Sequence, residues 1–285
     1  MNRTTRIAVT LATTISAVAA PVAASWAESP QVAAKPSTAK PSRLYPNLGN
    51  KGYTVDSYDL SMRYQPQNVK APVKATTVIK AKTTERLKSF TLDAADLDVT
   101  SVTVDGKTAR FTSEAAKEKL SVTPRTPVKS GHHMEVKIAY TVNPQGGGRG
   151  WMKTGTKAGF AVAAQPDGAH TVFPCNDIPS DKAAFTFHLA VPRGTGDIGV
   201  ASGLKTAQKT KDGYTTYQYK SKHPMATELV QMAAGKYKVI DKPSANGVPI
   251  RNVAPADAGS KFTYAFGLTP DQLKWISSPS NLGPF

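Results

Sequence analysis

From Tyr53 onward, apolar and polar residues alternate with a period of two. Tyr58, Leu60, Met62 and Tyr64 alternate with Asp59, Ser61 and Arg63, the pattern of a strand with one face buried. Met134, Val136, Ile138, Tyr140 and Val142 repeat it against Glu135, Lys137 and Thr141. Phe185, Phe187, Leu189 and Val191 do so a third time, with Thr186 and His188 facing away. Asp105-Gly106 and Asp212-Gly213 are strong hairpin signals. Short strands spaced by turns, with almost no helical periodicity, predict a mainly β protein: an antiparallel sandwich or layered sheet assembly. Leu92 to Asp98, with Asp93, Asp96 and Asp98, reads as a turn between strands, and Ser113 to Lys119 as one helical turn at most.

The ends differ from this middle. Pro30, Pro36, Pro41 and Pro46 among Ala, Ser and Lys mark residues 28–49 as an extended spacer that builds no core. Asp241 to Ser260, with Pro243, Pro249 and Pro255 among small residues, reads as a connection. Thr269-Pro270-Asp271-Gln272 then reads as a helix start: Thr269 caps, Pro270 suits the first helical position, and Gln272 completes a capping box. Ser277-Ser278-Pro279 stops that helix after about two turns. So short a helix is unstable alone, and a packing partner is expected for it.

Arg3 and Arg6, the uncharged run Ile7 to Ala24 and the small residues of Ser25-Trp26-Ala27 compose a secretory signal peptide over residues 1–27. The run is short, holds Pro21 and is followed by no basic stop-transfer patch, so no membrane anchor is expected and the protein is expected to be secreted. The net charge is +16, and the leader carries two arginines and no acid, so its removal leaves +14. A basic exported protein suits anionic cell-surface polymers. The lysines are scattered, however, and no basic helix, zinc finger or RNP-type signature accompanies them, so no nucleic-acid partner is expected. A solvated lysine face that maintains solubility is the simpler reading. The single cysteine excludes an intramolecular disulfide.

Candidate chemistry is sparse. Catalytic zinc takes three protein ligands and a water, yet His132, His133, His170, His188 and His223 form no i, i+4 pair and no H-E-x-x-H occurs. His132 and His133 are adjacent at a strand start, so their side chains leave on opposite faces. Cys175 has His170 five residues before it, but nearby Asp177 disfavours a thiolate; a packed free thiol is the reading taken over a nucleophile. Asp177 and Asp181 flank Pro179, where Asx-type bonds to the local backbone rigidify a loop. Gly146-Gly147-Gly148-Arg149-Gly150 lacks the Lys-Ser/Thr ending of a phosphate cradle and reads as a hairpin tip. No catalytic residue and no metal ligand is assigned.

An ordered set of short motifs carries a resemblance. Gly52-Tyr53-x-Val55-x-x-Tyr58-Asp59-Leu60, Phe90-Thr-Leu92-Asp93, Val102-x-Val104-Asp105-Gly106, Leu120-x-Val122-x-Pro124 and Val136-x-Ile138-x-Tyr140 lead to the most specific block. That block is Gly150-Trp151-Met152, then Gln165-Pro-x-Gly-Ala and Phe173-Pro-x-Asn-Asp-x-Pro-Ser-Asp-Lys-Ala, followed by His223-Pro224-Met225-Ala226 and Ala234-Gly235-Lys236-Tyr237. Together they resemble the N-terminal domain of the aminopeptidase N family of zinc metallopeptidases, in a secreted bacterial branch. The resemblance implies a saddle-like β domain over residues 50–242 that packs on a thermolysin-like catalytic domain, of which residues 243–285 resemble the linker and start.

The resemblance also implies one substrate contact. The position that Gln165 matches is often glutamate in aminopeptidases, where it helps hold the free α-amino group of a peptide; an amide there is neutral and binds an ammonium more weakly. Zinc is expected in the full-length family, bound by motifs that come later and that residues 1–285 do not contain. The chain is therefore expected to be a cleft-shaping domain, paired with a catalytic metallopeptidase domain and silent by itself. The alternative is a free-standing secreted module that binds peptides, a protease or anionic wall polymers.

Overall fold

The computed structural model describes residues 44–65, 72–144, 148–152, 159–245 and 247–283. The expected leader, most of the spacer and the centre of the glycine run lie outside the described residues. In chain order the strands are β1 (Tyr53–Arg63), β2 (Val73–Thr83), β3 (Phe90–Asp93), β4 (Leu97–Val104), β5 (Lys107–Thr108), β6 (Arg110–Glu114), β7 (Lys119–Thr123), β8 (His133–Val142) and β9 (Gly150–Met152). They continue with β10 (Gly159–Ala163), β11 (Ala184–Pro192), β12 (Ile198–Ala201), β13 (Leu204–Lys211), β14 (Tyr214–Lys220), β15 (Gln231–Gly235), β16 (Tyr237–Ala245) and β17 (Val248–Pro255), and a helix, α1 (Thr263–Ile276), follows. One 3-10 turn, Ala115–Lys117, falls where a single helical turn is expected.

The largest sheet has the order β13-β14-β11-β1-β2-β8-β4-β5. Its period-two strands place Tyr58, Leu60 and Met62 opposite Phe185, Phe187 and Leu189 on one side and Ile79, Thr77 and Ala75 on the other. These side chains are buried, and each large apolar one stabilises the fold by about 1.5–3 kcal/mol relative to exposure. Tyr58, Phe185 and Phe187 stack in a row, with ring centroids 4.9 and 5.7 Å apart. The intervening residues, Asp59, Ser61 and Arg63 among them, form the wet face of a one-sided sheet. The expected antiparallel order holds except that β1 pairs with β11 in parallel. The Asp-Gly turns form as expected, Asp105 and Gly106 at φ 50° and 73°, Asp212 and Gly213 at 50° and 75°.

A second sheet, β12-β15-β10-β9, lies on the apolar face of the first. Gly199 of β12 permits that approach, since a Cβ there would fall 2.6 Å from Leu189 Cβ. Phe160 on β10 meets Tyr64 and Trp151 edge-on, at 5.6 and 5.5 Å. A third sheet, β3-β7-β6, buries Phe90, Leu92, Leu120 and Val122. This is the layered β assembly the alternation predicts.

Two expectations near the C-terminal end are corrected. The stretch read as a connection contains the hairpin β16–β17, paired from Tyr237–Pro255 to Ala245–Val248 with a register shift after Lys242. Both strands of a two-stranded sheet are edges, so prolines without an N–H are tolerated there. The helix begins at Thr263, six residues before the expected cap at Thr269, and Pro270 lies inside it. Aromatic residues and Gly267 have low helix propensity and hide this first half. Phe262 and Phe266 stack at 5.6 Å, one turn apart. No residue of α1 is buried.

Candidate functional site

Between β10 and β11 the chain makes no strand, yet much of it is fully buried. The Gly168 N–H donates to Ala164 O at 2.7 Å and closes a turn around Gln165. A short 3-10 turn, Ala169–Thr171, follows, and its three residues are all buried. Gly150 and Gly168 allow this turn to lie against the start of β9, because a Cβ on Gly150 would sit 2.3 Å from Gly168 O. The Trp151 indole donates to Thr171 O at 3.1 Å. Phe173 then inserts edge-on against Tyr58, 5.7 Å between centroids, and Cys175 exchanges backbone hydrogen bonds of 2.8 and 3.1 Å with Asp93. The loop is thereby stitched to β3 and plugged into the main sheet.

Three buried aspartates complete the anchoring. Asp93 pairs with the Lys119 ammonium and accepts from Gly49 N at 3.0 Å, Asn50 Nδ2 at 2.9 Å and Asp177 N at 2.8 Å. Asp177 accepts from His170 N at 3.3 Å and Thr227 Oγ1 at 2.6 Å, and lies 2.7 Å from His170 Nδ1. Asp181 accepts from Val55 N at 3.2 Å and Asn176 Nδ2 at 2.6 Å. Burial raises the Asp181 pKa against the opposing pull of these donors. A buried carboxylate is tolerated only when so paired. The turn expected over Leu92 to Asp98 falls at residues 94–96, between β3 and β4. The expected local Asx bonds of Asp177 and Asp181 are corrected: besides His170 and Asn176 within the loop, these carboxylates bind Thr227 and Val55 of other segments, because the loop is interior.

The remaining sequence candidates are dispersed. Gln165 is exposed at the turn after β10, and the bond between Gln165 and Pro166 is cis. Cys175 is fully buried; desolvation first, then the charges of Asp177 and Asp93, pushes its thiol pKa well up, so it is a packed thiol. His132 and His133 face different carboxylates, Asp105 at 2.9 Å and Asp56 at 3.3 Å, and His188 faces Asp59 at 3.2 Å. His223 is exposed.

One constellation has no signature in sequence spacing. The fully buried His170 ring reaches Asp177 at Nδ1 and, at Nε2, Glu118 at 3.3 Å and Arg149 at 3.0 Å. Glu118 lies 52 residues away and Arg149 lies 21, and only the folded sheets bring them together. Glu118 holds Arg149 through both guanidinium Nη atoms. Among the described residues no three His, Cys, Asp or Glu side chains are disposed to hold a metal ion. The donor set does not fit a catalytic zinc, since each histidine lies against carboxylates of its own or in solvent and no two converge.

With this geometry in place, likeness to known proteins is informative. A family model described as the peptidase M1 N-terminal domain matches residues 54–229. The leucine aminopeptidase 2 of Yarrowia lipolytica is 30% identical over 156 residues, 52% of this chain and 23% of that protein. The leukotriene A-4 hydrolase of Xenopus laevis is 23% identical over 178 residues, 58% of this chain and 29% of that protein. Among solved structures, the M1 zinc metallopeptidase of Deinococcus radiodurans matches with a TM-score of 0.70 at 25% identity, over 81% of this chain and 54% of that one. A variant of that enzyme bound to a Tyr-Ser-Ala substrate matches with the same TM-score at 24% identity, over 82% and 55%. The chain thus spans about a quarter of the length of these curated relatives and about half of the solved enzyme.

Proposed function

The chain belongs to the peptidase M1 N-terminal domain family, and from that premise we propose that it forms one wall of the substrate cleft of an exported zinc metallopeptidase. N-terminal domains of M1 peptidases pair with a catalytic domain. In this reading the catalytic domain supplies the zinc and the base, and residues 1–285 supply a rigid edge with an amide aimed at the amino end of a peptide. The observation that carries the reading is the anchoring of the Gln165–Ala183 loop: three buried aspartates and Phe173 fix a segment that leaves Gln165 exposed. A side chain that orients a substrate must be held by packing and by hydrogen bonds behind it.

An amide oxygen accepts a hydrogen bond from an ammonium without a charge of its own. A carboxylate at the same place makes a charge-assisted bond roughly twice as strong, about 1 kcal/mol more in net terms. Residues 1–285 alone are silent in this reading, because water activation by zinc needs ligands that this stretch does not contain.

One experiment tests these points together. The chain, leader included, is joined to the catalytic part of an M1 zinc metallopeptidase and recovered from the medium, where cleavage after Ala27 is expected. Gln165→Glu should lower KM for substrates with a free α-amino group about fivefold, with little change for N-blocked ones, and residues 1–285 alone should release no aminoacyl amide. An unchanged ratio of free to blocked substrates removes Gln165 from the cleft. Chelator-sensitive turnover by residues 1–285 overturns the silent-domain reading.

A further inference from the structure

The one buried imidazole of the loop region faces two rim groups of opposite kind. His170 Nε2 lies 3.3 Å from Glu118 Oε2, an acceptor, and 3.0 Å from Arg149 Nη2, a donor. A ring nitrogen is either an N–H or a lone pair, so it can satisfy only one of them at a time. Nδ1 has no such choice. Asp177, 2.7 Å away, only accepts, and it is held in place by Thr227, so Nδ1 carries its proton in both states.

We propose that His170 is a positioning residue for the Gln165 turn: its Nε2 donates to Glu118 when the ring is charged and accepts from Arg149 when it is neutral, so that proton occupancy decides which rim residue holds the turn. The consequence for substrate rests on the cleft-wall reading of Gln165; the exchange itself does not.

The coupling from ring to turn is short. Arg149 precedes Gly150, which pairs with Ala163 two residues before Gln165. The Arg149 carbonyl lies 2.6 Å from Thr171 Oγ1, beside the ring in sequence. His170 also donates its own N–H to Asp177. When the ring is charged, Arg149 is left to the carboxylates of Glu118 and of Asp167, 3.4 Å from its Nε. When the ring is neutral, one guanidinium N–H turns to Nε2.

The charges around the ring favour its cationic form. Among the described residues, Asp177 from the loop, Glu118 from the turn before β7, Asp167 beside Arg149 and Asp93 from β3 face two fixed cations, Arg149 and Lys119. Burial pulls the pKa of His170 down, but the hydrogen bond and charge of Asp177, with Glu118 and Asp93 behind them, outweigh it and leave it above 6.5. The exchange therefore falls above the pH at which a free imidazole titrates.

The test uses the full chain. Imidazole NMR should show the His170 ring titrating above pH 6.5. Amide exchange over residues 164–171, corrected for its intrinsic pH dependence, should change at least about threefold across the same midpoint while β1 and β2 do not, a step well above the scatter of local opening. His170→Arg, a permanent cation, should abolish the step with the turn still protected. Glu118→Gln should lower the midpoint by about 0.5–1 pH unit, the loss of one nearby charge. A ring that titrates without any change in turn protection overturns the proposal; should His170→Arg fail to fold, an unmoved midpoint in Glu118→Gln overturns it equally. These readouts need no peptide. A Gln165→Glu change without effect in the joined enzyme, with the pH step intact, removes the cleft reading and leaves the exchange standing.

Discussion

Residues 164–183 contain no strand, yet His170, Phe173, Cys175 and Asp177 are buried among them, whereas the fourteen residues of α1 form a regular helix that buries none. In the loop, the buried carboxylates meet partners within the segment, His170 on Asp177 and Asn176 on Asp181, and from outside it, Thr227 on Asp177 and Val55 on Asp181, while Asp93 of β3, held by Lys119 and Asn50, takes the Asp177 N–H. In α1 the backbone satisfies itself, and Tyr264, Trp275 and Leu268 point into solvent. Regularity and fixity are thus separate properties here. Burial with complete pairing fixes the irregular segment, while the regular one contributes little to the core.

The largest effect that separates the two regions belongs to Asp93. Asp93→Ala removes the carboxylate opposite the Lys119 ammonium and the acceptor of the Asp177 N–H, and breaking a buried pair costs about 3–5 kcal/mol in a fold whose total stability is about 5–15 kcal/mol. Urea unfolding should show a large fall in midpoint, or no folded protein at all, and Asp93→Asn, which keeps the acceptor oxygen, should lose less. A loss below about 1 kcal/mol for Asp93→Ala would show that the loop is not held from beneath.

A smaller effect comes from pH. The folded pKa of His170 lies above its unfolded value near 6.5, as Asp177 and Glu118 overcome desolvation. Between those two values the native chain holds a proton the unfolded chain has released. The stabilisation is then complete below about pH 6.5 and is lost as pH rises through the folded pKa. The urea midpoint should therefore drop as pH rises above about 6.5, and His170→Gln should flatten that part of the curve. An equally steep drop in His170→Gln would assign it to another group.

The same contrast explains how much is legible in the sequence. Tyr58 to Tyr64 and Phe185 to Val191 announce their strands because one buried face imposes a period of two, and Asp-Gly announces a hairpin because both residues take positive φ. The motifs Gln165-Pro and Phe173-Pro-x-Asn-Asp locate the loop. They do not reveal its interior: the partners of Asp93 lie 26 and 43 residues away, and Glu118 meets His170 across 52, distances at which only the finished sheets decide. The parallel pairing of β1 with β11 is hidden for the same reason. The hairpin β16–β17 and the first half of α1 are masked by prolines and by low-propensity residues whose usual meaning is loop.

The smallest effect is expected in α1. Trp275 is 64% exposed, and a substitution away from buried contacts usually moves stability by no more than about 0.5 kcal/mol, so Trp275→Ser in residues 1–285 should leave the urea midpoint nearly unchanged. Joined to a catalytic partner that covers the helix, the same change should cost about 3 kcal/mol, the scale for truncating a buried Trp. Measuring both forms separates a helix that lacks its cover from one that is exposed by nature. A midpoint shift in residues 1–285 comparable to that of Asp93→Ala would place α1 in the same cooperative unit as the loop, and the contrast between the two regions would fail.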